Sequence, residues 1–159
     1  MSKILITYFS ASEGRVTEAL AKKFKSVLGA DLFEIKPVQP YTRADINWLN
    51  PFSRCNKEKM GKKDVPVVGK VENFENYDLV LIGFPVWYAA APNVINTFVK
   101  GYDFSGKKIA LFATSGGGGI GKSAEKLKSY LSETANIVGA KLFKNSVTEN
   151  ELKSWIERL

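Results

Sequence analysis

The sequence predicts a parallel α/β sheet with helices on both faces, and three observations support this fold class. Short runs at residues 3–9, 79–84 and 108–113 are almost wholly apolar, as expected of strands that are buried on both faces. Segments with helical periodicity separate these runs, and such alternation is typical of parallel sheets. The length of 159 residues predicts one domain spanning 1–159.

The predicted elements alternate along the chain, and several have a clear local signal. Gly29 ends the first helix, Pro92 suits the first turn of the second, and Thr148 with Glu151 has capping-box spacing. Strands are expected at residues 3–9, 31–36, 79–84, 108–113 and 140–144. Helices are expected at residues 17–28, 92–100, 122–135 and from 148 onward.

Residues 37–75 are too many for an ordinary connection between two elements. The segment is polar, basic and interrupted by Pro, yet it contains aromatic side chains. We expect a long loop or lid insertion here, with Tyr41 and Trp48 as candidate lid or substrate-contacting residues. The alternative is that the aromatic side chains only anchor a long loop.

The composition excludes several kinds of chemistry. The chain has no His, which excludes Ser-His-Asp and Cys-His catalysis and imidazole ligation of a metal. Cys55 is the single Cys, so neither an internal disulfide nor a thiolate zinc cage can form. We expect Cys55 to be a free surface thiol, and we expect no metal site.

The charge favours anionic partners. Lys and Arg total 23 against 16 Asp and Glu, which gives a net charge of +7. Acidic residues interrupt the basic run around residues 57–63 and no nucleic-acid motif accompanies it, so we expect no nucleic-acid partner. No apolar run reaches the roughly 18 residues of a membrane span, and we see no secretory signal. We therefore expect no membrane association and a cytoplasmic location.

The loop after the first strand, residues 10–17, has the features of an anion site. It offers the hydroxyls of Ser10, Ser12 and Thr17, a turn at Gly14 and the unpaired amides of a helix N-terminus. Arg15 adds a cation. The alternative is an ordinary helix cap, in which Ser and Thr are common. We favour the anion site because ligands of such sheets bind beyond the carboxyl ends of the strands.

The loop after the third predicted strand, residues 85–92, places two aromatic residues beside three alanines. Trp87 and Tyr88 follow an apolar strand directly, and the alanines leave space next to them. This pattern suits stacking on a planar ring. The alternative is that both aromatic side chains cover the core from above.

The loop after the fourth predicted strand, residues 114–123, supports two interpretations. Gly116, Gly121, Lys122 and Ser123 match the G-x-x-x-x-G-K-[ST] pattern of nucleotide triphosphatases. Against that function, neighbouring glycines satisfy such a pattern easily, and no other strand ends in an Asp to hold magnesium. The second interpretation is a backbone surface that a flat ligand approaches closely. Taken together, the three loops describe a site for a mononucleotide of a planar heterocycle, and flavin mononucleotide (FMN) fits best.

The chain also resembles the flavodoxin-like superfamily over nearly its whole length, and is most similar to short bacterial members. The stretches that carry the resemblance are YFSAS, ADLFEI, QPYTRADINW, FPVWYAAAP, NTF, YDFSGKKI and TSGGGGIG. The resemblance implies a three-layer sandwich with a five-stranded parallel sheet in the order 2-1-3-4-5, and bound FMN. Two departures stand out. Glu13 lengthens the phosphate loop and adds a negative charge, and the basic net charge differs from that of typically acidic flavodoxins.

The resemblance and the loops together predict which residues bind FMN. The phosphate loop, residues 10–17, supplies one group. The first ring loop, residues 85–92, and the second ring loop, residues 114–123, supply the others. The predicted residues are Ser10, Ser12, Gly14, Arg15, Val16, Thr17, Pro85, Val86, Trp87, Tyr88, Ala89, Thr114, Ser115, Gly116, Gly117 and Gly118.

The function expected from these residues is that of an FMN-binding redox protein that carries electrons or reduces small acceptors. A nicotinamide-dependent quinone reductase is the main alternative, and a P-loop-like nucleotide-binding protein using residues 116–123 is the other. No catalytic residue is identified, and both a monomer and a homodimer remain open. The basic surface favours an anionic redox partner and a less negative flavin potential than in acidic relatives.

Overall fold

The computed structural model describes residues 3–10, 15–47, 49–61, 64–87, 90–114, 120, 122–144 and 146–159. The strands are β1 Ile4–Tyr8, β2 Asp31–Glu34, β3 Lys36–Pro37, β4 Val67–Val68, β5 Leu79–Pro85, β6 Lys108–Thr114 and β7 Asn136–Leu142. The helices are α1 Val16–Leu28, α2 Arg54–Gly61, α3 Asn93–Lys100, α4 Ser123–Lys128 and α5 Glu149–Glu157, and one 3-10 turn spans Phe74–Asn76. Within these described ranges, no helix has the length and apolar character that a membrane span requires.

Five of the strands form one parallel sheet in the order β2-β1-β5-β6-β7. This is the predicted order 2-1-3-4-5, so the fold class is confirmed. The register aligns Tyr8 with Gly83 and Pro85 with Thr114. The carboxyl ends of β1, β5 and β6 therefore lie side by side, and the loops that follow them share one edge of the sheet.

Alternation along β5 separates the core into two layers. Val80, Ile82 and Phe84 pack on the face covered by α3, whereas Leu79 and Leu81 pack on the face that contains residues of α1 and α5. Both layers are buried, as the almost wholly apolar sequence of a central parallel strand requires. The helices on the two faces and the sheet between them form the predicted three layers.

The last predicted helix and strand before α5 are shifted. The helix expected to reach residue 135 ends at Lys128, and the strand expected at 140–144 runs over Asn136–Leu142. The hydroxyl of Ser129 donates to the carbonyl of Lys126, which competes with helical bonding. The hydroxyl of Thr134 accepts from the amide of Gly106 and so draws the chain toward the amino end of β6. Strand β7 therefore begins directly afterwards.

The segment at 37–75 is largely built from short ordered elements. The predicted strand at 31–36 divides, because β2 pairs with β1 while β3 pairs antiparallel with β4. Helix α2 is held against α3 by the side-chain amide of Asn93, which donates to the carbonyl of Glu58 at 2.8 Å. The amide of Val65 donates to the hydroxyl of Thr97, 2.9 Å away. The segment therefore packs on the α3 side of the sheet, and its action as a lid stays a prediction.

Candidate functional site

The three predicted loops meet at the carboxyl edge of the sheet. The amide of Val86 donates to the carbonyl of Thr114 at 2.8 Å, which continues the pairing of β5 with β6 into the loops. The hydroxyls of Thr17 and Thr114 lie 2.8 Å apart and are buried. The first turn of α1 is thus joined directly to the end of β6. Of the other predicted residues, Ser12, Gly14, Trp48, Tyr88, Ala89, Ser115, Gly116, Gly117 and Gly118 lie outside the described residues.

Ser10 lies two residues beyond the end of β1 and has a buried hydroxyl. The residue is only 6% exposed, and its Oγ finds no hydrogen-bond partner among the described residues. An unsatisfied buried hydroxyl typically costs about 1–3 kcal/mol. A position of this kind suits an oxygen-rich ligand that would satisfy the hydroxyl.

Arg15 is the N-cap residue of α1 and has a left-handed backbone conformation, with φ 50°. Its Nη1 donates to the carbonyl of Ser10 at 3.1 Å, and its Nη2 donates to Glu34 at 2.6 Å. Its Nε donates to Glu18. The guanidinium therefore ties the loop to α1 and to the end of β2, and a direct contact between Arg15 and a ligand phosphate stays a prediction.

The charges around Arg15 change the titration of its neighbours. Hydrogen bonds from Lys22 and Arg15 hold the pKa of Glu18 below its ordinary value. Burial, together with the charges of Glu34 and Glu18, raises the pKa of Tyr8 to about 12. Glu18 is therefore ionised and Tyr8 is neutral across the physiological pH range, so neither group serves there as a proton carrier.

Trp87 forms one wall of the site. Its amide donates to the carbonyl of Ala90 at 2.9 Å, and the amide of Ala90 donates back to the carbonyl of Trp87 at 3.1 Å, so the two residues pair through their backbones. The half-buried indole packs edge-on against the rings of Phe9 and Tyr41, with centroids 5.7 and 5.3 Å away. Two predicted residues, Tyr41 of the 37–75 segment and Trp87 of the ring loop, are thereby brought into contact.

A polar network of Glu58 and Arg54 holds the side chain of Tyr41 in place. The tyrosine hydroxyl donates to Glu58, and the Arg54 guanidinium lies 3.9 Å from the centre of the tyrosine ring. Arg54 also donates to Glu58 through Nε at 2.9 Å and to the carbonyl of Gln39 through Nη1 at 2.8 Å. Burial and the bond to Glu58 raise the pKa of Tyr41 above its ordinary value. Glu58 was not among the residues predicted to be functional, although its i,i+4 spacing from Arg54 was a usable signal.

Comparisons with known proteins identify the family. A sequence model described as flavodoxin matches residues 3–159. The chain belongs to the flavodoxin family. No match was found among curated proteins.

Solved structures support this flavodoxin assignment. A candidate flavoprotein from Bacteroides eggerthii is 40% identical, with 99% of this chain and 97% of that chain covered and a TM-score of 0.90. A candidate flavoprotein from Bacteroides uniformis is 33% identical, with 98% of each chain covered and a TM-score of 0.87. A flavoprotein from Lactobacillus acidophilus, solved in complex with FMN, is 24% identical with a TM-score of 0.70, and covers 98% of this chain and 99% of its own. At that identity the likeness shows the fold alone.

In this flavodoxin, the end of the glycine-rich loop is committed to contacts within the chain. Ser123 is fully buried, and its hydroxyl donates to the carbonyl of Ile120 at 2.6 Å. A nucleotide triphosphatase would present this hydroxyl oxygen to magnesium, whereas Ser123 here has no exposed surface. Helix α4, which follows, has only six residues.

Two further features lie beside the ring loop of this flavodoxin. A cavity of about 350 Å³ is bounded by Ala90 and Ala91 of the loop, by Asn96 of α3 and by Lys126 of α4. The Cys55 thiol is only 4% exposed, and its Sγ lies 3.4 Å from the hydroxyl of Ser53. The expectation of a surface thiol is therefore wrong, because α2 packs inward toward α3.

Proposed function

We propose that this flavodoxin binds FMN at the carboxyl edge of its sheet and functions as a redox protein. The buried hydroxyl of Ser10, which has no partner among the residues that the structure describes, carries the proposal, because a phosphate oxygen would satisfy it. The site's other described groups are amides, hydroxyls and an aromatic wall, which suit a phosphate joined to a planar ring. The FMN complex of the Lactobacillus acidophilus protein, which has the same fold, also supports the proposal.

Each described residue has a role toward the cofactor. Ser10 holds the phosphate, and Thr17 and Thr114 fix the spacing between the phosphate loop and the second ring loop. Trp87 flanks the ring and, with Phe9 and Tyr41 behind it, keeps water from one face. When bound, the flavin ring supplies reversible uptake of one or two electrons.

The protein itself supplies electrostatics and access. Among the described residues at the site, Arg15 and Arg54 are both held by carboxylates, so the phosphate site depends mainly on neutral donors. The net charge of +7 belongs to the chain as a whole and favours an anionic electron donor or acceptor. Cys55 is the single Cys, so the chain forms no internal disulfide, which fits a reducing compartment and supports a cytoplasmic location.

The contact between Tyr41 and Trp87 favours a second candidate function, which is reduction of a small acceptor such as a quinone with a nicotinamide donor. This contact brings the 37–75 segment to the wall of the ring site, where a segment of this kind controls access to substrate. A carrier and a reductase share the same cofactor site. They differ in whether turnover with a small acceptor exceeds that of free FMN.

The visible spectrum of the purified protein, with and without added FMN, tests the cofactor directly. Flavin absorption bands that survive gel filtration would support the proposal. A colourless protein that refuses FMN and binds magnesium-ATP would contradict it and favour the nucleotide triphosphatase. Oxidation of NADH or NADPH with several quinones then separates the two redox functions, with free FMN at equal concentration as the control.

A further inference from the structure

A second cavity, here called the hairpin groove, opens beside Ser10 on the β2 side of the phosphate loop. Its volume is about 350 Å³, which lies within the range of small-molecule pockets. Its walls are the end of β2, the paired strands β3 and β4, and Tyr41. Phe9 and Tyr41 line it and also pack against Trp87, which is not part of its lining. These two rings therefore stand between the hairpin groove and the proposed flavin ring.

One end of the hairpin groove suits a phosphate. Ser10, whose buried hydroxyl has no partner among the described residues, lines this end together with the cationic side chains of Arg15 and Lys36. Glu34 is the opposing charge at this end. Its carboxylate already accepts from Arg15 Nη2 at 2.6 Å and lies 4.0 Å from Lys36 Nζ. The local negative charge is therefore balanced before any ligand arrives.

The rest of the hairpin groove is apolar, and part of it is exposed. Ile35 and Pro37 are buried on its floor. Val38 and Val68 form its rim, where they are 61% and 51% exposed. A flat ligand that covers these two valines removes apolar surface from water, which is a favourable exchange. The hairpin groove thus combines a polar phosphate end with an apolar slot.

We propose that the hairpin groove binds an adenine nucleotide, with its phosphate toward Ser10 and its base against Ile35, Pro37 and Val68. The combination of a phosphate end and a flat apolar slot fits a nucleoside monophosphate. Such a group has two sources, the AMP half of FAD or a separate adenine nucleotide. The FAD source rests on the proposed function, because Ser10 belongs to both sites and a dinucleotide flavin extends from one into the other.

Titration of the flavin-free protein with riboflavin, FMN, FAD and 5′-AMP tests this proposal. Flavin binding is followed by fluorescence, and AMP binding by amide NMR shifts of Ile35, Lys36 and Val68. The variants are Val68→Glu and Val68→Lys, which place opposite charges at one exposed position of β4. Met60→Glu, at an 86% exposed residue of α2, controls for the added negative charge. Circular dichroism confirms that each variant is folded.

If FAD supplies the nucleotide, it binds several-fold more tightly than FMN. Val68→Glu then weakens the binding of FAD by about tenfold, while the affinity for FMN changes by less than about twofold. If a separate nucleotide occupies the hairpin groove, FAD has no advantage, and AMP shifts the three amides of the flavin-free protein saturably and competes with FMN for Ser10. In that case Val68→Glu weakens the binding of AMP by about tenfold, and Val68→Lys weakens that binding less.

The proposal is overturned if FAD has no advantage over FMN and AMP shifts none of the three amides. It is also overturned if Val68→Glu weakens FMN and FAD equally, or if Met60→Glu has the same effect on FAD or AMP as Val68→Glu. A protein that binds no flavin at all contradicts the proposed function instead. The AMP titration of that flavin-free chain still decides whether the hairpin groove is a nucleotide site.

Discussion

The hydroxyl oxygens of Thr17 and Thr114 lie 2.8 Å apart in the buried region where α1 meets the end of β6. The two residues are 97 positions apart in the sequence, so the bond joins two loops that folding alone brings together. It also connects the two predicted cofactor loops that flank the loop after β5. This pair of hydroxyls, together with the bond from the Val86 amide to the Thr114 carbonyl, therefore helps to set the spacing of the site.

Replacing either threonine with valine should destabilise the protein by about 1–3 kcal/mol, because the remaining hydroxyl stays buried without its partner. The double variant Thr17→Val/Thr114→Val should cost less than the sum of the two single changes. Urea unfolding of the wild type, the two single valine variants and the double variant gives the free energies of this double-mutant cycle. Thr17→Ser, which keeps the hydroxyl, is the matched control. Strictly additive costs would show that the two hydroxyls do not interact.

Ser10→Ala should weaken FMN binding by roughly 10–100-fold, the cost of a lost hydrogen bond to a charged phosphate. Riboflavin, which has no phosphate, should bind equally well to both proteins. The free energy of unfolding without flavin should not fall, because the Ser10 hydroxyl has no partner to lose among the described residues. Ser53→Ala changes another buried serine and serves as the control. Equal weakening of FMN and riboflavin would remove Ser10 from the phosphate site.

Tyr41→Phe should loosen the packing against Trp87, because the ring loses its bond to Glu58 while keeping its size. Labelling with 5-fluorotryptophan gives 19F signals for the three tryptophans, and we expect the Trp87 signal to shift or broaden. Glu58→Gln should be more destabilising, by about 1.5–3 kcal/mol, since the half-buried Arg54 loses the nearer of two carboxylate partners and keeps Asp45 at 3.7 Å. Tyr130→Phe, at an exposed tyrosine, should leave the Trp87 signal unchanged. An unaltered Trp87 signal in Tyr41→Phe would contradict the positioning role.

Tyr8 should make the protein sensitive to alkaline pH. Its phenol has a pKa of about 12 in the folded protein, raised by burial and then by the charges of Glu34 and Glu18. The ordinary value is about 10, so the unfolded chain loses this proton first. The resulting stability is fully present below about pH 10. It falls by about 1.4 kcal/mol per pH unit as the pH rises toward 12.

Tyr8→Phe should therefore show a shallower decline of the urea midpoint above pH 10 than the wild type. Burial and the hydrogen bond to Asp31 also raise the pKa of Tyr77 to about 12, so part of the decline should remain. The absorbance of tyrosinate near 295 nm, recorded during the same titration, checks the assignment. Parallel declines in the two proteins would show that Tyr8 does not contribute.

The flavin potential should depend on the basic charge near the ring loop. Lys126 lines the cavity beside Ala90 and Ala91, and a positive charge there favours the anionic reduced cofactor. Lys126→Glu should therefore make the midpoint potential more negative. Lys153→Glu on α5, which adds the same charge on another helix, should have a smaller effect. Raising the ionic strength should reduce the difference between the two variants, because salt screens exposed charges. Equal shifts would indicate that only net charge matters.

The fold and the meeting of the loops could be predicted because they follow from local patterns and general rules of chain geometry. Apolar runs such as 79–84 indicate strands buried on both faces, and right-handed crossovers limit the possible strand orders. Parallel strands then place their carboxyl ends at one edge. Ser10, Thr17 and Thr114 could be assigned to that edge from the sequence.

The contacts that shape the site could not be predicted, because they join residues from separate elements. Arg15 looked available to a phosphate, yet Glu34, 19 residues away, takes one of its donors. Glu58 looked like an interruption of a basic run, whereas it fixes Tyr41 and Arg54. The length of helix α4 was overestimated, because the hydroxyls of Ser129 and Thr134 form hydrogen bonds with backbone groups. Periodicity alone does not reveal such bonds.

The shape of the sheet's two edges restricts how copies of the chain approach one another. Strand β7 has an extra residue, since Ile109 faces Ile137 while Ala110 faces Gly139, and the resulting bulge at Val138 bends that edge. Strand β2, at the other edge, is only four residues long and carries Asp31 and Glu34. A bent edge and a short charged edge both resist the addition of a strand from another molecule. At high concentration, both edges of the sheet should therefore disfavour aggregation by strand addition between copies of this protein.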